Sequence, residues 1–259
     1  MLPVPETFPG HGLLAGKVVV VTAAAGTGIG FATARRCAEE GAVVVVSDTH
    51  PRRLGEAADK IGDEFGARPL AVPCDVTVEE EVHGLFDAAR AEHGRVDVAV
   101  NNAGLGGTVE LVDMTDEQWF AVVDVTLTGT MRCTRAALRL MYDQGWGVVV
   151  NNASVLGWRA QAGQSHYAAA KAGVMALTRC AAAEAASHGV RVNAVSPSFA
   201  LHPFLNKVIP EDELARLQAQ ELSGRSAETW EVANVIVFLA SDYASYLSGE
   251  VVSVSSQHP

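Results

Sequence analysis

The stretch that decides the fold is KVVVVTAAAGTGIG, residues 17–30. Its first half is an unbroken valine run, which is typical of a strand buried on both faces of a parallel sheet. Its second half places Gly26, Gly28 and Gly30 in front of an Ala-rich segment of helical length. Glycines in this position let the backbone approach a pyrophosphate at the N-terminus of a helix. A tight turn without a ligand has the same composition, so the motif gains its meaning from the rest of the chain.

Outside this stretch, short β-branched runs alternate with longer Ala-rich segments. Seven runs have the composition of strands: Lys17–Thr22, Ala42–Ser47, Pro69–Pro73, Val96–Asn101, Gly147–Asn152, Arg191–Val195 and Glu250–Val254. The segments between them have helical length and spacing, including Ile29–Glu40, Arg53–Phe65, Glu79–Glu92, Glu117–Tyr142, His166–His188 and Ser226–Ser241. This alternation predicts an α/β fold of the Rossmann-like, doubly wound type, with a seven-stranded parallel sheet and helices on both faces.

Length and charge narrow the class of protein. A chain of 259 residues, 49% of them hydrophobic, fits one domain. We expect residues 1–13 to form a flexible leader and residues 14–259 to form a single dinucleotide-binding and catalytic domain. The net charge of -11 offers no positive field for nucleic acid. No apolar run approaches the roughly 20 residues of a membrane-spanning helix, so no membrane partner is expected.

The four cysteines indicate the redox compartment. Cys37, Cys74, Cys133 and Cys180 lie far apart and form no Cys-x-x-Cys pair. This spacing indicates neither a zinc site nor a disulfide framework. A reducing cytosol is the simplest location, so we expect a cytoplasmic protein without a metal.

Acidic residues and amides follow the next strands, at the edge where doubly wound sheets bind ligands. Asp48 can accept hydrogen bonds from the adenosine ribose hydroxyls and repel a 2′-phosphate, which favours NAD over NADP. Arg52 and Arg53 follow closely and could reach a 2′-phosphate or remain solvated charges. Asp75 can bond an adenine amino group or act as a helix N-cap. The candidate cofactor-binding residues from these turns are Gly26, Thr27, Gly28, Ile29, Gly30, Asp48, Asp75, Val76, Asn102, Ala103 and Gly104.

A second group of residues points to proton transfer. Ser154 follows the fifth predicted strand, and Tyr167 and Lys171 begin the next Ala-rich segment. Their four-residue spacing puts the phenol and the ammonium on one helix face, where the charge is expected to lower the pKa of the phenol. A phenol tuned in this way can donate a proton to a ketone or accept one from an alcohol. Ser154 can hydrogen-bond the same substrate oxygen.

Other interpretations of these residues are weaker. An isolated Tyr-x-x-x-Lys arises easily by chance on a surface helix. The small, apolar residues around Tyr167 and Lys171 are unlike a solvated face, however. A serine hydrolase is disfavoured because no Gly-x-Ser-x-Gly elbow surrounds Ser154. His166 adjoins Tyr167 but points elsewhere on a helix, so we expect it at the pocket wall or the surface.

These residues, in this order, resemble the classical short-chain dehydrogenase/reductase family over nearly all of residues 14–254. The resemblance implies Ser154, Tyr167 and Lys171 as the catalytic set, with Tyr167 and Lys171 also at the nicotinamide end of the cofactor. It further implies cofactor contacts through the main chain of Phe199 and Ala200. It implies a homotetramer, with residues 117–142 and 167–188 as dimer helices.

The chain also departs from the family pattern. The turn that begins Thr22-Ala23 is one residue longer than usual. Thr126 aligns with an asparagine that normally supports a proton relay, so the resemblance makes it a further candidate catalytic residue, although threonine lacks the paired donor and acceptor of an amide. The threonine expected after the sixth strand is His202, and residues 255–257 replace the usual Asp-Gly-Gly.

The substrate is suggested by a narrower resemblance. Residues 151–161 and 257–259 are similar to actinobacterial dehydrogenases of steroid ring breakdown, which act on bicyclic CoA thioesters. Residues 201–224 are expected to form the substrate lid, unless their apolar stripe packs on the domain. Cations for a CoA group would be Arg159, Lys207 and Arg216. The tentative pocket residues are Trp158, Gln161, Gln164 and Phe204.

Three functions follow from this sequence. The first is NAD-dependent interconversion of a secondary alcohol and a ketone, for which a ring hydroxyl of a steroid-derived acyl-CoA is the suggested substrate. The second is a 3-oxoacyl-thioester reductase, although Asp48 is discouraging because such reductases usually use NADPH. The third is a non-catalytic dinucleotide-binding protein. It would suit the altered Thr126, the altered tail at residues 255–257, and Ser198, which follows Pro197 where the family has glycine. The intact catalytic set argues against it.

Overall fold

Seven parallel strands form the main sheet of the computed structural model, which describes residues 2–201 and 211–256. The strand order is β3-β2-β1-β4-β5-β6-β9. The strands of this sheet are β1 (Val18–Val21), β2 (Val43–Asp48), β3 (Leu70–Pro73), β4 (Val98–Asn101), β5 (Gly147–Asn152), β6 (Val190–Pro197) and β9 (Val251–Val254). A separate pair consists of β7 (Ala200–Leu201) and β8 (Ala227–Glu228). The predicted seven-stranded parallel sheet is confirmed.

Helices cover both faces of this sheet, as predicted. Apolar residues of α1, α2 and α8 pack against one face, and those of α3, α5 and α6 pack against the other. Both faces of the strands are therefore dry, which explains why the strands read as continuous apolar runs. The helices are α1 (Ile29–Glu39), α2 (Pro51–Phe65), α3 (Glu79–His93), α4 (Asp116–Val123), α5 (Gly129–Gln144), α6 (Ser165–Ala185), α7 (Glu211–Gln220) and α8 (Thr229–Ala240). None of the helices within the described ranges has both the length and the apolarity to cross a membrane.

The sheet reverses its winding direction between β1 and β4. Because β1 pairs with β2 on one side and with β4 on the other, the turns after β1 and β4 leave in opposite directions. A crevice opens at such a switch point, beyond the carboxyl ends of the strands. The glycine turn follows β1 and Asn102 follows β4, so the fold brings both to this crevice.

The helix expected over Glu117–Tyr142 is interrupted by one wide turn. A π-helical segment, Asp124–Thr128, separates α4 from α5. Two side chains bond at this turn: the hydroxyl of Thr126 binds the backbone of Leu105, and the hydroxyl of Thr130 donates to the Thr126 carbonyl. Such bulges occur frequently at functional sites. Helical periodicity alone could not reveal it because the Leu105 contact is long-range.

The expected flexible leader is bonded to α1. Residues 2–10 contain no helix or strand, but the amides of His11 and Leu13 donate to one carboxylate oxygen of Glu40, at 2.8 Å and 3.0 Å. Glu40 has no solvent exposure and also pairs with Arg36. Arg36 in turn donates to the carbonyl of Phe8 at 2.7 Å. Glu40 thus ties the segment before β1 to the end of α1.

Replacing Glu40 by Gln is expected to lower the free energy of unfolding by about 2 kcal/mol, because hydrogen bonds to a charged group contribute roughly 1.5–3 kcal/mol. Burial raises the pKa of Glu40, but the bonds from Leu13 and His11 and the charge of Arg36 outweigh it and leave the pKa below its usual value. The stabilisation is therefore present at neutral pH and is lost as the pH falls through that lowered pKa. Urea unfolding at pH 7 and in acid measures it.

The control for this prediction is Glu64→Gln. Glu64 makes an exposed ion pair with Arg35, and exposed pairs contribute roughly 0–1 kcal/mol. Equal losses in the two variants would contradict the role assigned to Glu40.

Candidate active site

The glycine turn leaves β1 through a strained residue. Ala23 has a φ of 51°, in the left-handed region, which costs a non-glycine residue about 1 kcal/mol. Gly30 packs directly on this residue: a Cβ at position 30 would lie 2.1 Å from the Ala23 carbonyl oxygen and 2.5 Å from the side-chain nitrogen of Asn102. No side chain fits there. The first turn of α1 is therefore locked onto the start of the glycine turn.

The N-terminus of α1 fits a pyrophosphate. Gly28 is the N-cap, no side chain caps the helix, and its first turn contains no acidic residue. A Cβ at Gly26 or Gly28 would meet no atom within 4 Å, so open space lies above the turn. Uncapped amides and the positive end of the helix dipole favour an anion at this place. The residues present thus suit the dinucleotide that the sequence predicted.

At the adenosine end, Asp48 is the best-placed predicted residue. Its carboxylate accepts from the amides of Ala25, at 3.3 Å, and His50, at 3.1 Å. Burial raises its pKa, while the Ala25 amide and the charge of Arg53 act in the opposite direction. Asp48 therefore links the end of β2 to the glycine turn. Arg52 instead forms an exposed ion pair with Glu56.

Asp75 is not the N-cap of α3, because that position is Val78. Its carboxylate accepts from the amide and the hydroxyl of Thr77, at 2.9 Å and 2.7 Å, and so shapes the turn after β3. The side chain of Val76 is buried and lies close to Gly129. Of Val76, only the main chain can face a ligand.

The loop after β4 is bonded to the glycine turn. The hydroxyl of Thr22 accepts from the amides of Asn102, at 3.0 Å, and Ala103, at 3.2 Å. The side chain of Asn102 donates back to the carbonyls of Thr22 and Ala23 at 3.2 Å. A Cβ at Gly104 would lie 3.5 Å from the ammonium of Lys171. The predicted residues 102–104 thus join the cofactor crevice to the proton-transfer site.

The three predicted catalytic residues lie together. Ser154 follows β5, is 9% exposed and lies close enough to the phenol of Tyr167 to lower its pKa. Lys171 is only 3% exposed, and its ammonium donates to the main-chain carbonyl of Asn152 at 2.5 Å. The ammonium lies 5.6 Å from the centre of the Tyr167 ring. The four-residue spacing on α6 therefore brings phenol and ammonium to one face.

The expected fall in the pKa of Tyr167 is not what the structure shows. Burial raises the pKa of the phenol, and the hydrogen bond with Ser154 only partly offsets this. Burial also lowers the pKa of Lys171 to about 8. The sequence argument counted the attraction between the two groups but not the cost of removing both from water. At neutral pH the phenol is therefore protonated, and it lies beside a lysine that titrates at about 8.

Thr126 holds backbone in place. Its hydroxyl accepts from the Leu105 amide at 3.0 Å and donates to the Leu105 carbonyl at 3.1 Å. Its own carbonyl accepts from the Thr130 hydroxyl at 2.7 Å. The donor hydrogen of the Thr126 hydroxyl and the main-chain carbonyl of Thr126 are therefore both already hydrogen-bonded within the protein. These bonds give Thr126 a role in fixing the loop after β4 and lend no support to the tentative catalytic role.

Two loops meet near the predicted catalytic residue Tyr167, since a Cβ at Gly106 would lie 3.9 Å from its ring. The side chain of Gln164 donates to the hydroxyl of Thr108 at 3.1 Å, and the amide of Val109 donates to the carbonyl of Gly163 at 3.1 Å. Gln161 and Trp158 precede this crossing and are exposed. Phe204, the other predicted pocket residue, lies outside the described residues, as do the other residues of the expected lid from 202 to 210, whereas residues 211–220 of the lid form α7.

Of the two positions expected for His166, the surface is excluded because the residue is buried, and a Cβ at Gly107 would lie 3.5 Å from its Nε2. At the nicotinamide end, the carbonyl of Phe199 accepts from the amide of Ala227 at 3.0 Å. Ala200 is buried in β7. The carbonyl of Phe199 is therefore already hydrogen-bonded within the β7–β8 pair.

A group of buried carboxamides escaped the sequence analysis. Asn101 donates to Asn151 at 2.9 Å and to Thr134 at 3.1 Å, and Asn151 donates to Thr178 at 3.0 Å. These bonds tie β4 and β5 to α5 and α6, directly below the site. The signal was present in the sequence, because amides at the ends of otherwise apolar strands must find partners when buried.

Comparison with known proteins agrees with this geometry. A family model described as enoyl-(acyl carrier protein) reductase matches residues 23–256. Over 256 residues the chain is 63% identical to a hydroxy-methyl-oxo-hexahydroindene-carboxyl-CoA reductase of Mycobacterium tuberculosis, with 98% of each chain covered. It is 44% identical to the cis-4-hydroxycyclohexanecarboxylate dehydrogenase of Sinomonas cyclohexanicum, with 92% of this chain and 94% of the other covered.

Solved structures give the same result. A short chain dehydrogenase from Mycobacterium smegmatis superposes with a TM-score of 0.89 and is 58% identical, with 99% of each chain covered. Levodione reductase superposes with a TM-score of 0.89 at 34% identity, with 94% of this chain and 97% of the other covered. The chain therefore belongs to the short-chain dehydrogenase/reductase family of oxidoreductases.

Proposed function

We propose that this protein uses NAD(H) to interconvert a ring hydroxyl and a ketone on a bicyclic, steroid-derived acyl-CoA. The observation that carries the proposal is the meeting of Tyr167, Ser154 and the buried Lys171 at the inner end of the dinucleotide crevice. A phenol in this place is within reach of the oxygen of a substrate that lies over a bound nicotinamide.

The chemistry divides between cofactor and chain. A bound nicotinamide supplies or accepts the hydride. The hydroxyl of Tyr167 donates its proton to the developing alkoxide when a ketone is reduced, and the phenolate takes the proton back when an alcohol is oxidised. Ser154 hydrogen-bonds the same oxygen. Lys171, held by the Asn152 carbonyl, keeps a positive charge beside the phenolate and lowers the cost of forming it.

The substrate class rests on the relatives. The mycobacterial relative is named for a fused-ring CoA thioester, and the Sinomonas relative for a hydroxyl on a six-membered ring. Both names describe a secondary alcohol or ketone on a carbocycle that carries a carboxyl group. In this chain the exposed Trp158 offers an apolar surface beside the site. Arg159 and Arg216 are the described candidates for the CoA phosphates.

The alternative is a 3-oxoacyl-thioester reductase. The chain is 35% identical to the 3-oxoacyl-[acyl-carrier-protein] reductase of Escherichia coli over 240 residues. Because Ser154, Tyr167 and Lys171 suit either reaction, only the substrate preference of the protein distinguishes the two functions. Faster turnover of a linear 3-oxoacyl-CoA than of a bicyclic one would favour this alternative.

We also propose a cytoplasmic homotetramer. Large apolar side chains are exposed on α4 and near the carboxyl end of the chain, where Phe120 is 64% exposed and Tyr243 is 77% exposed. A second and third copy covering these patches would remove them from water.

Tyr167→Phe is expected to lower kcat by about 10²- to 10⁴-fold, because the phenylalanine cannot transfer a proton. The dissociation constant for NADH should stay close to that of the wild type. Absorbance of NADH during turnover of a hydroxylated bicyclic acyl-CoA measures the first quantity, and fluorescence titration measures the second. Tyr142→Phe is the matched control because Tyr142 stacks on His188, away from the site. Turnover by Tyr167→Phe at the wild-type rate would contradict the mechanism.

Asp48 is expected to set the cofactor preference. The wild-type protein should prefer NADH to NADPH, and Asp48→Ser should shift the ratio of their kcat/KM values toward NADPH by at least about tenfold, since it removes the charge that repels a 2′-phosphate. Asp63→Ser, on the exposed side of α2, is the control. A wild-type preference for NADPH would contradict the proposal and point to Arg53 as a phosphate ligand.

A further inference from the structure

Asn152 touches both halves of the active site. Its main-chain carbonyl accepts the ammonium of Lys171 at 2.5 Å. Its side-chain nitrogen donates to the side-chain oxygen of Asn102 at 2.8 Å. The first bond reaches the proton-transfer site and the second reaches the cofactor crevice. Asn152, at the end of β5, is therefore hydrogen-bonded to Lys171 in the proton-transfer site and to Asn102 in the cofactor crevice.

The bond to Asn102 continues to the glycine turn. The nitrogen of the Asn102 amide donates to the carbonyls of Thr22 and Ala23 at 3.2 Å. It can do so only while its oxygen points at Asn152, because the two ends of an amide face opposite ways. Gly30 packs on the same carbonyl of Ala23. A continuous chain of contacts thus runs from Lys171 to the first turn of α1.

The asparagine at position 152 has an energetic cost to the fold, which indicates that its side chain has a specific role. Among the described residues, the side-chain oxygen of Asn152 has no hydrogen-bond partner although it is buried. A buried unpaired oxygen is destabilising, and such groups in native structures usually mark a function. An apolar side chain would avoid the cost but would leave the oxygen of Asn102 without its donor.

We propose that Asn152 is a positioning residue that couples the cofactor turn to the catalytic lysine. It orients the Asn102 amide, which in turn holds the strained Ala23 and the start of α1 in the shape that receives the pyrophosphate. The inference rests on the proposed function in one respect, namely that a nicotinamide dinucleotide binds at residues 26–30.

The test is Asn152→Leu, which keeps the branched shape of the side chain and removes the donor. The dissociation constant for NADH, measured by fluorescence titration, is expected to rise roughly tenfold, as for a lost buried hydrogen bond. In the cofactor-free protein, hydrogen exchange at the amides of Ala24 and Ala25 is expected to speed up. In a double-mutant cycle with Asn102→Ala, the two effects should not add, because both variants break the same contact.

The matched control is Asn193→Leu. Asn193 is buried like Asn152, and its side chain makes two bonds next to β9, to the Leu247 carbonyl and from the Glu250 amide. This variant should lower Tm more than Asn152→Leu does and leave the NADH dissociation constant unchanged. A merely structural role for Asn152 predicts the reverse: a large loss of Tm with unchanged NADH affinity and unchanged exchange at Ala24.

The outcomes separate the two proposals. Unchanged NADH affinity and unchanged exchange in Asn152→Leu would overturn the positioning role while leaving the proposed function standing. If the wild-type protein bound neither NADH nor NADPH, the proposed function would fail, and the exchange at Ala24 would still decide whether Asn152 holds the turn.

Discussion

The site depends on one buried charge and the carbonyl that receives it. Lys171 lies almost wholly out of water, where an ammonium is costly, and its described hydrogen bond runs to the Asn152 carbonyl at the end of β5. That bond fixes the first turns of α6 over the edge of the sheet. Tyr167 lies one turn earlier on the same helix, close to Ser154. The position of the proposed catalytic group thus depends on this contact, and its electrostatics depend chiefly on burial.

The same edge carries a second constraint. Polar groups at the ends of parallel strands that are buried on both faces need hydrogen-bond partners. Here the side-chain amides of asparagines supply many of these hydrogen bonds. One set, around Asn151, ties strands to helices below the site. The other, around Asn102, shapes the cofactor turn. Strain at Ala23 is tolerated because the surrounding contacts leave that residue no alternative position.

Features that are determined by local sequence patterns could be predicted from the sequence. Valine runs located the strands, and the family resemblance together with the spacing of Tyr167 and Lys171 identified residues that do meet. Long-range contacts determined the rest. The wide turn at Thr126 depends on the distant Leu105, the anchoring of the leader depends on Glu40, and the pKa of Tyr167 depends on its burial in the folded chain. None of these contacts leaves a periodic pattern to read.

The pH dependence of kcat/KM for the reduced cofactor tests the central claim most directly, because this quantity reports groups of the free enzyme. The pKa of Lys171 is lowered to about 8 by burial, and that of Tyr167 is raised. As the pH rises through about 8, the lysine therefore loses its charge while the phenol still keeps its proton. The account predicts that ketone reduction declines as the pH rises through about 8. A profile that stays flat to pH 10 would contradict it.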